Sequence, residues 1–337
     1  MRIAINGFGR IGRIFLRQAI GHEGIEVVAV NDLGLIENLA YLLRHDSVYG
    51  PYDKKVETKD GLLIVDGKEI KVFNATDPAT LPWKELGIDV VVESTGVFIS
   101  YDKASAHLKA GAKRVVISAP AKDEGETKTA TATPNVGIEF LKESLITSNA
   151  SCTTNATTPV LAVMLTEPGV EKSIMSTVHG YTATQTLTDS PVKGKDFRRG
   201  RAAAANIVPS TTGAADAVGK AIPETKGKFD GVSIRVPVIS GSLVDLTFIA
   251  KRNTTVEEIN KIFIEASQKP EWRGILATTT DQPVSTDILG SPYGAIIDLE
   301  LTRVVDGNLV KVFAWYDNEY GYCAMLLKHI ETLKLLL

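Results

Sequence analysis

The sequence predicts an α/β protein in two parts, a doubly wound parallel sheet followed by an α+β domain with a mostly antiparallel sheet. Three observations predict it. Between Ile3 and Asp32, a short apolar run, a glycine-rich turn, a helix-spaced segment and a second apolar run follow one another, the unit from which parallel sheets are wound. Two further runs, Val90-Val91-Val92 and Arg114-Val115-Val116-Ile117, end in small residues, as strands do at the ligand-facing edge of such a sheet. Beyond the segment around residue 150, strand-length runs joined by tight turns replace this alternation.

In the first part, Ile3-Ala4-Ile5 leads into Asn6-Gly7-Phe8-Gly9-Arg10-Ile11-Gly12, and Ile11, Phe15, Leu16 and Ile20 continue at helical spacing. The second strand, residues 25–30, is closed by Asn31 and Asp32. A G-x-G-x-x-G pattern is a weak signal alone, but strand, helix and an acid about 20 residues on make it the fingerprint of a Rossmann-type dinucleotide site. In that setting Gly7 permits the tight turn, Gly9 the approach of a pyrophosphate and Gly12 the packing of helix on strand, with the phosphates at the helix N-terminus. Residues 56–72, with Asp60-Gly61 and Asp66-Gly67 turns, read as a β-hairpin insertion. Residues 103–110 read as a helix stopped by Gly111. Thr95, Gly96 and Ser118, at strand ends, would line the cofactor crevice or serve as ordinary turn residues.

In the second part, strands are expected at residues 172–178, 229–235, 243–251, 295–303 and 309–316, the third following the second by turns and the last two flanking an Asp306-Gly307-Asn308 hairpin. Helices are expected at 212–221, at 256–267 after the cap residues Thr254 and Thr255, and at 320–336. The domains are placed at 1–148 (cofactor-binding), 149–316 (catalytic) and 317–337, a C-terminal helix packing back on the first domain.

The chemistry centres on Ser148-Asn149-Ala150-Ser151-Cys152-Thr153-Thr154-Asn155. Ser151 and Thr153 are good capping residues, which puts Cys152 at a helix N-terminus, where backbone N–H groups favour thiolate over thiol. Most lone cysteines are small buried hydrophobes. Here the collar of small and amide residues is poor core filling and suits an anionic substrate. His179, at a strand end among small polar neighbours, completes the minimal pair for thiolate catalysis, or is a structural histidine. The other histidines, His22, His45, His107 and His329, read as surface residues. Pro209-Ser210-Thr211-Thr212-Gly213 opens a helix as an anion site or as a plain cap. Arg235 lies inside an apolar strand and requires an anion, a bound phosphate or an ion-pair partner. The stretch around Lys193, Lys195, Arg198, Arg199 and Arg201 reads as a solvated loop that could contact neighbouring subunits, with nucleic-acid binding unlikely since few aromatics interleave.

The 337 residues provide for two cores. A net charge of −3 argues against a protein built mainly to hold nucleic acid. No apolar run approaches the roughly 18 residues of a membrane span, the N-terminus shows no signal peptide, and no metal-ligand spacing occurs. Cys152 and Cys323 give no disulfide framework, so a reducing cytoplasm is the simplest compartment.

The octapeptide around Cys152, together with Ala4 through Gly12, Glu93-Ser94-Thr95-Gly96-Val97-Phe98, His179, Thr182-Ala183-Thr184-Gln185, Arg235-Val236-Pro237 and Trp315-Tyr316-Asp317-Asn318-Glu319, resembles the phosphorylating glyceraldehyde-3-phosphate dehydrogenases from end to end. The resemblance implies a Cys152 nucleophile with His179 as base, forming a thiohemiacetal and then a thioester that inorganic phosphate cleaves. It implies NAD contacts at Gly7, Gly9, Arg10, Ile11, Gly12, Asp32, Thr95, Gly96, Ser118 and Asn318. It places the substrate phosphate at Thr182 and Arg235 and the inorganic phosphate at Ser151, Thr153, Thr212 and Gly213, with Arg199 among the phosphate-binding residues, and it implies a homotetramer. Erythrose-4-phosphate dehydrogenase shares the cysteine segment and is the neighbouring activity, although Thr182 to Gln185 and Ser118-Ala119-Pro120-Ala121-Lys122 look more like the triose enzyme. A non-catalytic NAD- or nucleic-acid-binding protein would not need both Cys152 and His179. Asp32, whose carboxylate can accept from both ribose hydroxyls, favours NAD over NADP.

Overall fold

The structure, a computed structural model, describes residues 1–125 and 128–336. The chain divides into two compact units: Met1–Ala132, Gly137–Ala150 and Leu326–Leu337 form the first, and Thr133–Val136 with Ser151–Met325 the second.

The first unit carries strands Arg2–Asn6 (β1), Glu26–Asn31 (β2), Val56–Lys59 (β3), Leu62–Val65 (β4), Lys68–Phe73 (β5), Val90–Glu93 (β6), Arg114–Ile117 (β7), Thr129–Thr131 (β8) and Ile146–Ser148 (β9), with helices Arg10–Ala19 (α1), Ile36–Arg44 (α2), Tyr101–Ala104 (α3) and Ala106–Lys109 (α4). They form one sheet in the order β3-β4-β5-β2-β1-β6-β7-β9-β8. β1 lies in its middle, parallel to β2 on one side and β6 on the other. The chain winds outward one way and then crosses to the other, which leaves a crevice at the carboxyl ends of β1 and β6. Three-stranded β3–β5 is not a separate insertion, because β5 pairs parallel with β2 and extends the main sheet. Its turns hold Asp60, Gly61, Asp66 and Gly67 at positive φ, as tight hairpins of the right twist require.

Two expectations about this unit need correction. The helix expected at 103–110 begins at Tyr101 and breaks at Ser105. The Ser100 side chain caps it at Lys103 N, and Asp123 accepts the N–H groups of Tyr101 and Asp102. His107 and His329, which read as surface residues, are buried. His329 Nε2 meets Thr147 Oγ1 at 2.8 Å, and burial pushes its pKa down to about 4, so it sits neutral inside the unit. Each lies on the inner face of a short or terminal helix, where sequence spacing is a poor guide to orientation.

The second unit carries Cys152–Thr166 (α5), Val170–Gly180 (β10), Val208–Thr211 (β11), Ala214–Ala221 (α6), Phe229–Val236 (β12), Ser242–Ala250 (β13), Val256–Gln268 (α7), Leu276–Thr279 (β14), Ala295–Asp298 (β15), Arg303–Val305 (β16) and Leu309–Tyr316 (β17), and the helix Tyr320–Lys334 (α8) begins in it. The sheet runs β11-β12-β10-β13-β17-β15-β14, with β16 added on β17. It is mostly antiparallel, but β12 and β13 are not neighbours: they flank β10, and β12 pairs with it in parallel. The run expected at 295–303 stops at Asp298 and resumes only as β16. Val160, Leu161, Met164, Val218, Leu246, Phe248 and Phe263 fill the core between α5, α6, α7 and the sheet. Among the described residues no helix is long and apolar enough to cross a membrane.

Candidate active site

In the second unit the Ser151 side chain accepts from Thr154 N at 3.1 Å and caps α5, so Cys152 is the first residue of the helix. The chain enters through Ala150 at φ +52, a conformation costly for a residue with a side chain and typical of sites the surrounding structure over-determines. Cys152 Sγ lies 3.3 Å from His179 Nε2. His179 is the penultimate residue of β10, and its parallel partner in the register is Arg235 of β12. Adjacent residues in register present their side chains on the same face, so the sheet itself brings the cation to the imidazole.

Nδ1 sits between Gly180 O at 2.6 Å, which can only accept, and Arg235 Nη1 at 2.9 Å, which can only donate; the tautomer with its proton on Nδ1 keeps the shorter contact and turns the Nε2 lone pair to the thiol. Arg235 Nη1 donates to the same carbonyl at 3.2 Å and comes within 2.9 Å of Nδ1. Burial, then the Arg235 charge, lowers the His179 pKa to about 3; the resting imidazole is neutral. Burial pushes the Cys152 thiol up, against the Arg235 charge and a bond from the Thr153 N–H. The helix terminus and the guanidinium pull toward the expected thiolate, and loss of water pulls against it.

Arg235 pairs with no carboxylate among the described residues, and its Nε has no partner. The demand for an anion noted in the sequence is left open in the fold. Arg199 stands close enough for its charge to reach Arg235. Its guanidinium bonds to Asp196, to Thr211 O at 3.1 Å and to Thr184 Oγ1 at 3.4 Å, and Thr184 meets Thr182 Oγ1 at 3.0 Å. Arg199, Thr184 and Thr182 thus form a polar cluster within charge reach of Arg235, which itself faces the His179–Cys152 pair. Thr212 Oγ1 accepts from Ala214 N at 3.2 Å, with Gly213 at the start of α6. The Thr153 hydroxyl turns inward to Tyr316 Oη at 2.9 Å. Tyr316 also meets Thr177 and sets its ring edge-on to His179; nothing in the alternation of the last strand singled it out. Arg198 and Arg201 are matched by Asp196 and Asp189, so the basic loop carries less free charge than its composition suggests.

Asn318 Oδ1 receives Gly241 N at 3.1 Å and Ser242 Oγ at 2.9 Å, which fixes the amide with Nδ2 as the donor left to present.

In the first unit a crevice of about 370 Å³ is lined by Asn6, Gly7, Gly9, Asn31, Asp32, Leu33, Ala75, Thr76, Ser94, Thr95, Val97 and Phe98. Its glycines divide their work as expected. Gly7 has φ +94, and a side chain there would strike the Ser94–Thr95 backbone at 2.6 Å. A side chain on Gly12 would come within 2.2 Å of Gly7 O, whereas one on Gly9 would meet nothing, leaving room for a phosphate. Asp32 accepts Phe8 N at 2.7 Å and Gly34 N at 2.8 Å, tying the end of β2 to the glycine turn while each oxygen keeps a lone pair. These features fit a dinucleotide. The Arg10 guanidinium pairs with Asp46 instead of facing the crevice, Ile11 follows in the first turn of α1, and Gly96 and Ser118 stand at the ends of neighbouring strands without lining it.

Comparisons with known proteins meet this geometry from outside. Residues 1–101 match the family model for the NAD binding domain of glyceraldehyde 3-phosphate dehydrogenase, and residues 151–318 the model for its C-terminal domain. The chain is 49% identical to glyceraldehyde-3-phosphate dehydrogenase of Thermotoga maritima, covering 100% of this chain and 99% of the relative. It is 47% identical to that of Clostridium pasteurianum over 98% and 97%, and 48% identical to that of Borreliella burgdorferi over 96% of each. The glycine-rich crevice falls within the first matched region and the Cys152–His179–Arg235 cluster within the second, and the chain belongs to the glyceraldehyde-3-phosphate dehydrogenase family.

Proposed function

We infer that the chain oxidises glyceraldehyde 3-phosphate to 1,3-bisphosphoglycerate with NAD as hydride acceptor and inorganic phosphate as second substrate. The observation that carries this is the 3.3 Å approach of a helix-terminal thiol to a neutral imidazole beside an arginine without an acidic partner. His179 Nε2 takes the thiol proton as Sγ bonds to the aldehyde carbon, and returns it to the developing alkoxide to give a thiohemiacetal on Cys152. NAD, when bound, accepts the hydride that leaves this carbon. His179 takes the hydroxyl proton in the same step, so the thioester forms neutral. Inorganic phosphate then attacks the thioester carbon, Cys152 departs and recovers a proton from His179, and an acyl phosphate remains. The thioester keeps the energy of oxidation that hydrolysis would dissipate. Within the first unit, Gly7, Gly9 and Gly12 with the α1 N-terminus support the pyrophosphate, Asp32 the adenine ribose, and Thr95 the remainder of the cofactor.

Arg235 has a second effect. A phosphate held by its guanidinium offsets the charge that depresses His179, so the seated substrate makes the base stronger. Arg235→Leu should therefore weaken glyceraldehyde 3-phosphate by roughly 10²-fold in kcat/KM, about the worth of one charge-assisted contact to phosphate, and unphosphorylated glyceraldehyde far less. Equal losses for both substrates would mark Arg235 as a structural residue.

The deciding assay follows NADH formation with glyceraldehyde 3-phosphate or erythrose 4-phosphate, each with and without phosphate. Turnover should favour the triose and require phosphate. Preference for the tetrose would make the chain an erythrose-4-phosphate dehydrogenase, and no turnover with either would leave a binding protein.

We also propose a homotetramer working in a reducing cytoplasm. Leu187, Phe197 and Ile207 are 82%, 76% and 69% exposed near the basic loop, and Ile174 and Val232 stand out from the sheet, surface that a second copy would cover. The two cysteines form no disulfide. Sedimentation as a monomer at micromolar concentration would overturn the assembly.

A further inference from the structure

Beneath the crevice of the first unit lies a closed polar network that the chemistry above does not use. Glu93, the last residue of β6, is 1% exposed, and His107 is fully buried beside Trp83. The indole N–H can only donate, and Trp83 Nε1 lies 3.0 Å from His107 Nδ1. His107 therefore accepts at Nδ1 and carries its proton at Nε2, which meets Glu93 Oε2 at 3.1 Å. The same oxygen receives Asn6 Nδ2 at 2.6 Å. Glu93 Oε1 receives Thr95 N at 2.8 Å and the Thr95 hydroxyl. Four donors saturate the carboxylate. From Asn6 the chain runs on, since its Oδ1 receives Asn31 Nδ2 at 2.7 Å, and Asn31 closes two bonds with the Ala75 backbone.

Asn6, Asn31, Ala75 and Thr95 all line the crevice, and they come from the ends of four strand segments. The Trp83 indole fixes the His107 tautomer, and the Glu93 carboxylate, which only accepts, sets the sense of the bonds up to the crevice floor. The consequence is sharpest at Thr95. Its hydroxyl spends its only proton on Glu93 and one lone pair on Val97 N, 3.0 Å away. What remains for a ligand is a single acceptor.

We propose that Glu93 is a positioning residue for the cofactor, acting through Thr95: it makes the threonine an obligate hydrogen-bond acceptor, which selects a ribose hydroxyl or a carboxamide N–H at this point of the crevice and rejects a phosphate oxygen. The proposal rests on the reading of the chain as an NAD enzyme. In Glu93→Gln the amide oxygen goes to the two fixed donors of His107 and Asn6, so its NH₂ faces Thr95, whose hydroxyl must then accept from it and is lost as the ligand's acceptor.

The test is calorimetric titration of the holo-competent full chain with NAD, in the absence of substrate, across wild type, Glu93→Gln, Thr95→Val and the double variant. Glu93→Gln should raise the NAD dissociation constant about tenfold, the worth of one good hydrogen bond. The turnover rate at saturating NAD should stay within about threefold, since ground-state cofactor binding is what is lost. In the Thr95→Val background the same change should add less than about twofold, because the group through which it acts is gone. A Glu93→Gln effect of equal size in both backgrounds, or none in either, overturns the proposal. Should Glu93→Gln fail to melt cooperatively, the pair His107→Gln and His107→Leu decides. Gln keeps an N–H for Glu93 and should bind NAD several-fold more tightly than Leu; equal affinities overturn the role. A wild type that takes up no NAD overturns the functional reading and this proposal with it, whereas a wild type that binds while the variants match it overturns the proposal alone.

Discussion

Cys152→Ser should abolish NADH formation, with a loss on the order of 10⁴–10⁶-fold, the range seen when a covalent nucleophile is removed. The hydroxyl fits the same place at the start of α5, but the base opposite it is weak, held near a pKa of about 3 by burial and by Arg235. The thiol is the better acid and the better nucleophile of the two, and it keeps the pull of the Arg235 charge and the Thr153 N–H against burial; an alcohol is much the harder acid. NAD binding should persist, because the crevice is built from residues of the first unit. The two thiols should also separate cleanly under alkylation. Cys152 is partly exposed and Cys323 fully buried, so labelling should reach Cys152 first and stop turnover in proportion. Because burial raises the Cys152 thiol, its labelling rate should continue to climb with pH above the ordinary thiol range, and Arg235→Leu should move that rise to higher pH. Equal labelling of both cysteines, or a Ser variant that turns over, would remove Cys152 from the mechanism.

How much of this was legible in the sequence differs from residue to residue. The glycine turn was readable because Gly7 and Gly12 each answer a local backbone demand, visible in the φ of Gly7 and the close approach of Gly12 to Gly7 O. The place of Cys152 was readable from Ser151, since a cap acts over three residues. The meeting of His179 and Arg235 was not. It depends on β12 pairing in parallel with β10 across an intervening strand and helix, and no local pattern records which strands become neighbours. The thiol's upward shift was equally hidden, because a helix terminus is a local feature whereas burial is a property of the whole packed unit. His107 failed for a third reason: it sits in a four-residue helix, too short for an apolar stripe to show which side faces the sheet.

His179→Asn should slow turnover by roughly 10²–10⁴-fold, the usual worth of a positioned general base. Tyr316, whose ring packs edge-on against that of His179, is no substitute, since it is engaged by Thr153 and Thr177 and pushed well above its ordinary value by burial. Alkylation of Cys152 should slow as well, because the thiol loses the lone pair of Nε2 at 3.3 Å. The pH profiles carry the finer prediction. In the free enzyme the imidazole is held down by burial and by the neighbouring cation, so it stays neutral and competent until the pH falls toward 3. With a phosphate seated on Arg235 that repulsion is offset, protonation becomes easier, and the imidazole is lost to catalysis at a higher pH. The acid limb of kcat, which reports the complex, should therefore lie above that of kcat/KM, which reports the free enzyme. In Arg235→Leu the free enzyme no longer carries the cation, so the two limbs should draw together. Acid limbs already coincident in the wild type would mean that the arginine does not govern the base, and wild-type rates of turnover and alkylation in His179→Asn would make the histidine a structural residue of the strand end.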